Sequence, residues 1–356
     1  MYRGSAPISK AKRTATQRSS ARLTIRDDSD RERDERFWFE DGTIILVAGK
    51  VEFKVYARPL VEHSPVFKDM LSLPREEGTF KDASKPPVEA LVHLPDSPDD
   101  LRYLFEVIMP SKVLRPFGFP QPEVKYNRLA AWVRMGHKYQ IDELVQKSLD
   151  FLRQIYPNNI DVYWKPSRSE MAKQMSPIGV VNIARLTNTF DLLPVALMDC
   201  CQMDSGLVKG HQREDGTFER LTDDDLERCL KATGKLTGAS VHMTHHLLNT
   251  AALKAARCVS MSCQYAVEDY KRLITSPTVA IQSKPTPLTA NQWGPVFKTH
   301  MPKLCAKCQT ALVAQSVALQ RQLFLHLPTI MAVKVEGWGA GDSSKPAPSP
   351  PPNSDP

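Results

Sequence analysis

The sequence predicts an α+β protein, a small sheet packed with a helical cluster and followed by an all-helical carboxy-terminal region, with a disordered tail at each end. Three observations lead there. Strand-type alternation of apolar residues is confined to the part before Pro157, apolar residues beyond it recur at helical spacing, and neither end carries an apolar pattern. With 356 residues, 42% hydrophobic and 24% charged, the chain has the composition of a globular protein and room for two domains. The limits that follow are a basic tail over 1–36, an α+β domain over 37–156, a helical region over 158–336 and a Pro-rich tail over 337–356.

Within the first domain, Phe37, Trp38 and Phe39 precede a turn at Glu40-Asp41-Gly42. Thr43 to Val47 and Val51 to Val55 are strands joined by Gly49-Lys50, a β-hairpin with one buried face. Ala57 to Val61 begins a helix. A second starts at Ser64-Pro65, since Ser caps and Pro suits the first helical position, and Phe67, Met70 and Leu71 then share a face. Pro74 to Pro87 reads as a loop and Val88 to Pro95 as a third strand. Ser97-Pro98-Asp99-Asp100 opens a helix that Pro110 stops, with acids placed at the positive end of the dipole. After a Pro-rich connector, Glu123 to Tyr139 and Ile141 to Tyr156 are amphipathic helices.

In the second region Ser176-Pro177 starts a helix that Pro194 interrupts, Thr222 to Asp225 starts another, and Val241 to Cys263 is helical in propensity. The last helix runs from about Cys305 to Leu327, with Leu312, Ser316, Leu319, Leu323 and Leu327 as its stripe, and Pro328 ends it.

The formal charge of +7 belongs to one end. Residues 1–26 hold seven basic side chains and no acid, which leaves 40 basic against 40 acidic residues after Arg26, a neutral body. The tail has three readings: a disordered segment, an import or nucleic-acid patch around Lys10 to Arg13, or a presequence. Apolar stretches are far too short to cross a bilayer and no secretory signal is visible, so the expected compartment is the cytoplasm or the nucleus. Seven cysteines without an export signal read as thiols. The other tail, Gly337 to Pro356, has six prolines and is expected to be solvated.

Asp41-Gly-Thr-Ile-Ile-Leu-Val47, Phe53 to Leu60, His63-Ser-Pro-Val-Phe-Lys-Asp-Met70 and Val92 to Leu101 ahead of a Leu/Phe helix together resemble the BTB/POZ domain, in the form abundant in basidiomycete fungi. The resemblance covers about 37–156 and extends loosely to the helical remainder, where such proteins carry a Cys-x-x-Cys near the end. It implies an interaction module that dimerises through its first helices and amino-terminal segment and presents a surface to partners such as cullin-type ubiquitin ligases or transcriptional corepressors. One departure concerns Tyr56-Ala57, where many BTB domains have His-Arg or His-Lys. The basic partner of a buried acid near Asp41 is then missing, with Arg58 one position late, and a corepressor role loses support.

Several residue groups suggest chemistry. Cys258, Cys263, Cys305 and Cys308 would supply four thiolates to a structural zinc, while a redox-sensitive pair at Cys305 and Cys308 or ordinary buried thiols are the other readings. Against zinc, Cys258 and Cys263 fall in a helix-like run where a five-residue offset does not share a face, and 41 residues separate the pairs. Cys200 and Cys201 read as core, and His242, His245 and His246 as surface. Asp223 to Asp225 are explained by helix capping. No phosphate-loop, dinucleotide or nucleophile-elbow motif is present, so enzymatic chemistry has no sequence support. For association, Phe37, Trp38, Phe39, Asp41 and His63 are the interface candidates, because three adjacent aromatics cannot all point inward and need cover from a partner or from the chain's own helices.

Two functions follow as expectations. The first is a BTB/POZ protein-interaction protein, homodimeric, with a cullin-type ubiquitin ligase adaptor as its concrete version, in which residues after Pro157 fold back on the first domain. The second is a nucleic-acid-associated regulator that uses residues 1–26 and a structural zinc.

Overall fold

In the computed structural model, residues 31–72, 91–110, 124–249, 258–274, 288 and 293–339 are described. The loop expected over Pro74 to Pro87, most of the Pro-rich connector, residues 1–26 and most of the Pro-rich tail lie outside them.

The architecture is mixed α+β and mostly helical, around a four-stranded sheet of order β1-β3-β2-β4. The hairpin is as expected: β2 (Ile44–Ala48) and β3 (Val51–Val55) pair antiparallel, with Gly49 at φ +58° in the turn, a value that favours glycine. Ile44, Leu46, Phe53 and Val55 are fully buried. The third expected strand is β4 (Leu91–Leu94), parallel to β2.

β1 (Glu32–Trp38) corrects the sequence reading. Residues 32–36 had been assigned to the basic tail, yet they form a strand parallel to β3, with a register shift between Arg33 and Trp38. Its composition hides it, because its inward residues are Asp34 and Phe37. Asp34 accepts from the amides of Arg36 and Phe37 at 3.0 and 2.9 Å and from Arg102 Nε at 2.6 Å, so the buried carboxylate is satisfied.

Helices α1 (Ala57–His63) and α2 (Pro65–Ser72) follow the sheet. Ser64 joins them: its Oγ accepts from the Phe67 amide at 3.0 Å, capping α2, and donates to the Tyr139 carbonyl at 2.6 Å. α3 (Pro98–Ile108), α4 (Tyr126–Lys138) and α5 (Asp142–Ile155) complete the unit. Ser97 stands at the cap of α3, but its hydroxyl makes no capping bond there.

Past Pro157 the chain folds back onto this unit through α6 (Ile160–Tyr163), α7 (Pro166–Ala172), α8 (Pro177–Leu186), α9 (Leu193–Cys200) and α10 (Gly206–Lys209). Gly179 of α8 sits so close to Tyr126 of α4 that an added Cβ would lie 1.7 Å from the tyrosine oxygen. Pro194, expected to break a helix, stands in the first turn of α9, where its missing amide costs nothing, and Asn188 at φ +55° makes the break upstream.

The second region is not purely helical either. β5 (His211–Gln212) and β6 (Phe218–Glu219) form a short hairpin that lies over α3 and α4. Asp100, 6% exposed, takes Arg134 at 2.8 Å and Arg213 at 2.9 Å, and Arg134 also reaches Glu219 at 3.0 Å. The other Glu219 oxygen accepts from the Tyr126 hydroxyl. Two-residue strands leave no alternation to read in the sequence.

α11 (Asp223–Leu247) starts at Thr222, whose Oγ1 accepts from the Asp225 amide at 3.3 Å. It is a single helix of 25 residues where the sequence suggested two shorter ones. α12 (Met261–Ile274), α13 (Trp293–His300), α14 (Ala306–Leu325) and α15 (Leu327–Ile330) follow. The buried row of α14 is Cys308, Leu312, Ser316, Gln320 and Phe324, which keeps the expected Leu312 and Ser316 and then takes Gln320 and Phe324 in place of Leu319 and Leu323. The start of the expected Pro-rich tail is anchored: Trp338 stacks on Phe324 at 4.9 Å and donates from Nε1 to the Phe324 carbonyl at 2.8 Å.

One hydrophobic core runs from Phe37 to Met331 and draws on both sides of Pro157. A second, small core joins α12, α13 and α14 through Cys263, Val267, Phe297, Met301, Cys308 and Leu312. Among the described residues no helix is long and apolar enough to cross a membrane.

Candidate metal centre

The small core is built on sulfur. Cys258 lies in irregular chain just before α12, Cys263 in the first turn of α12, Cys305 at the amino-terminal cap of α14, and Cys308 in its first turn. The helix expected through Cys258 stops short of it, because α12 begins only at Met261. That removes the objection that a five-residue offset separates the two side chains.

The four Sγ atoms all lie within 4.8 Å of one another, and Cys258 Sγ stands 3.9 Å from Cys305 Sγ. A metal bound tetrahedrally by sulfur at about 2.3 Å requires its ligands to be about 3.8 Å apart. A disulfide would need a separation of about 2.05 Å, so the spacing is that of a ligand set and not of an oxidised pair. Four protein ligands would complete a tetrahedron and leave no open position.

The surroundings suit thiolates. The Cys305 amide donates to Cys263 Sγ at 3.3 Å, the kind of N–H to sulfur bond that fixes a ligand from its second layer. Cys305 is exposed and its thiol is held down to about 7, first by the Cys308 amide, whereas burial pushes Cys263 and Cys308 upward. Without a metal, therefore, Cys305 ionises before Cys263 and Cys308. Four cysteines can hold a metal ion here.

The remaining thiols differ. Cys200, Cys201 and Cys229 are buried beneath α9 and α11, where Cys201 donates to the Cys229 carbonyl at 3.4 Å and Cys229 to the Leu197 carbonyl at 3.8 Å. They form no metal-ligand group, and His242, His245 and His246 are exposed on α11 without one among the described residues.

The interface candidates find their cover inside the chain. Phe37 is buried edge-on against Phe105 at 5.5 Å, the Arg33 guanidinium lies 4.4 Å over Trp38, and Phe39 stacks on Tyr56 at 4.9 Å. Asp41 is exposed and accepts from the Tyr56 hydroxyl at 2.7 Å. This bond also pushes the Tyr56 hydroxyl above its ordinary range. Arg58 pairs with Glu62 and not with Asp41. His63 is half-buried at the end of α1.

No family model matches the chain, and no curated protein or solved structure matches it either.

One set of residues escaped the sequence reading. Lys298, Lys303 and Lys307 are exposed, and the last two flank Cys305 in the sequence. A charge count in windows along the chain, in place of one sum over the whole body, would have found them.

Proposed function

We propose that the chain is a protein-association module of the BTB/POZ kind, acting as a homodimer, with a carboxy-terminal region held in shape by a structural zinc. The supporting observation is the junction at Ser64. The Ser-Pro motif that carries the resemblance caps α2 and ties it to the end of α4, while the regions before and after Pro157 share one core. Such packing makes the helical region a rigid extension of the first unit, as an adaptor that positions a partner requires. A cullin-type ubiquitin ligase is the partner class the resemblance suggests.

Zinc is favoured over softer or redox-active metals by four thiolates at tetrahedral spacing with no vacant position. It would supply cross-linking of α12 and α14, not chemistry on a substrate. Light scattering on the purified chain tests association: a dimer mass supports the reading, and a monomer at all concentrations sinks it. Recovery of a cullin on affinity purification from the native cell would establish the adaptor version. Metal analysis of the same sample reads one zinc per chain if the centre is formed, and a value near zero retires it.

A further inference from the structure

The neutrality of the chain after Arg26 conceals a division. Residues 27–227 carry 26 basic and 35 acidic side chains, a net of −9, whereas residues 228–335 carry 13 basic and two acidic, a net of +11. Four thiolates around one divalent zinc contribute two negative charges, and the segment still keeps about +9.

The excess gathers at the sulfur centre. Between Trp293 and Gln320 there is no carboxylate, and Lys298, Lys303 and Lys307 are exposed without an acidic partner among the described residues. Several other cations of the segment are engaged: Arg228 pairs with Asp225 and Lys231 with Glu227, Lys271 and Arg272 face Glu268 and Asp269 at 3.8 Å, and Arg321 pairs with Asp161. The metal turn also brings exposed apolar and aromatic groups to this place. Cys263 Sγ lies 4.0 Å from the Lys303 carbonyl, so the turn over 303–307 rests on the first turn of α12. That turn leaves Tyr265 60% exposed and Met261 54% exposed, next to Val259 at 93%.

We infer that this turn is a binding surface for single-stranded nucleic acid, with Lys298, Lys303 and Lys307 contacting phosphates and Tyr265 stacking on an unpaired base. Unpaired lysines supply the charge-driven part of such binding, and an exposed ring stacks on a base that a duplex would keep covered. The competing occupant, the acidic unit of a second copy, offers less. Its carboxylates at Asp34, Asp96, Asp100, Glu106, Glu219 and Asp225 are already committed to ion pairs. The inference rests on the metal-centre reading only for the rigidity of the turn.

The test uses the full chain with its zinc content measured, a fluorescent oligouridine of roughly 20 nucleotides, and anisotropy titrations across a range of salt. Replacing the three lysines together (Lys298→Gln, Lys303→Gln, Lys307→Gln) is expected to weaken binding by at least about tenfold and to reduce the log–log salt slope by about 2. Tyr265→Ala should weaken it by about tenfold with the slope unchanged. Both differences should persist in a chain lacking residues 1–26. The inference is overturned if the triple variant keeps wild-type affinity and slope, or if polyglutamate of matched charge competes as well as oligouridine, which would point to an acidic protein. Lysine-dependent binding by a zinc-free chain would uphold it and retire the metal centre, and a zinc-loaded chain that ignores oligouridine would do the reverse.

Discussion

The two cores of this molecule close by opposite means. The main core gathers buried side chains from Phe37 to Met331, with ion pairs set into it, among them Asp100, Arg134, Arg213 and Glu219, which clamp the β5–β6 hairpin over α3 and α4. The small core joins three helices with few apolar groups, and its centre is four sulfur atoms. Cores of such size rarely stabilise themselves and depend on a metal or a disulfide. The difference separates a core that apolar burial carries from one that, on the proposed reading, coordination would carry.

Metal removal should break the comparison most sharply. Structural zinc sites contribute about 10–16 kcal/mol of apparent binding energy in small metal-dependent domains, far more than the small core can replace. Chelation, or Cys308→Ser, is expected to abolish amide protection over 261–274 and 306–312 in hydrogen exchange while 98–108 and 126–138 stay protected. Equal loss in both places would mean that the two cores are one cooperative unit.

Next in size is the ionic clamp of the main core. Asp100→Ala leaves Arg134 and Arg213 to share only Glu219, at 3.0 and 3.6 Å, so the loss falls at or below the lower end of the about 3–5 kcal/mol that breaking a fully buried pair costs. Urea unfolding in the presence of zinc should register that loss. A smaller effect, about 1–3 kcal/mol, is expected from Gly179→Ala, which forces α8 away from Tyr126 of α4. Combining it with Tyr126→Leu should return much of the loss, and a double-mutant cycle with no coupling would show that the contact does not hold the two regions together.

How much of this was legible in the sequence depended on whether the pattern was apolar. The β2–β3 hairpin and the helices before Pro157 could be read because their buried residues alternate or recur at helical spacing. β1 could not, since a strand whose inward positions are Asp34 and Phe37 among charged neighbours resembles a solvated segment until Arg102 is seen beside it. The β5–β6 hairpin is too short to carry a period, and the charges that place it, Arg213 and Glu219, look like ordinary surface residues. At the sulfur centre the ligand types were visible and the geometry was not. Helical propensity runs straight through Cys258, whereas the chain there is not helical and its thiol stands 3.9 Å from that of Cys305. Trp338 was lost in a Pro-rich composition that hid a single anchoring side chain.

The smallest expected effect concerns acid. Asp225 is buried at the start of α11, and although burial alone would raise its carboxyl, Arg185 at 2.6 Å and Arg228 at 3.0 Å hold it below the ordinary carboxylate range. A group whose folded value is depressed adds stability that is present above its unfolded value, about 3.9, and is lost as pH falls through the folded one. Both arginines are about one-third exposed, at 34% and 31%, so solvent screens the pair and the contribution is modest. The thiolates of the small core also take up protons in acid, and a global melting curve would mix the two events. Hydrogen exchange at Leu226 to Leu230 separates them, because this turn belongs to the main core. Wild type should be better protected there than Asp225→Asn at neutral pH, and the two should converge below about pH 4. Persistent separation in acid would mean that packing, and not charge, fixes the start of α11, and the main core would then owe even less to its ion pairs than the comparison with the sulfur centre implies.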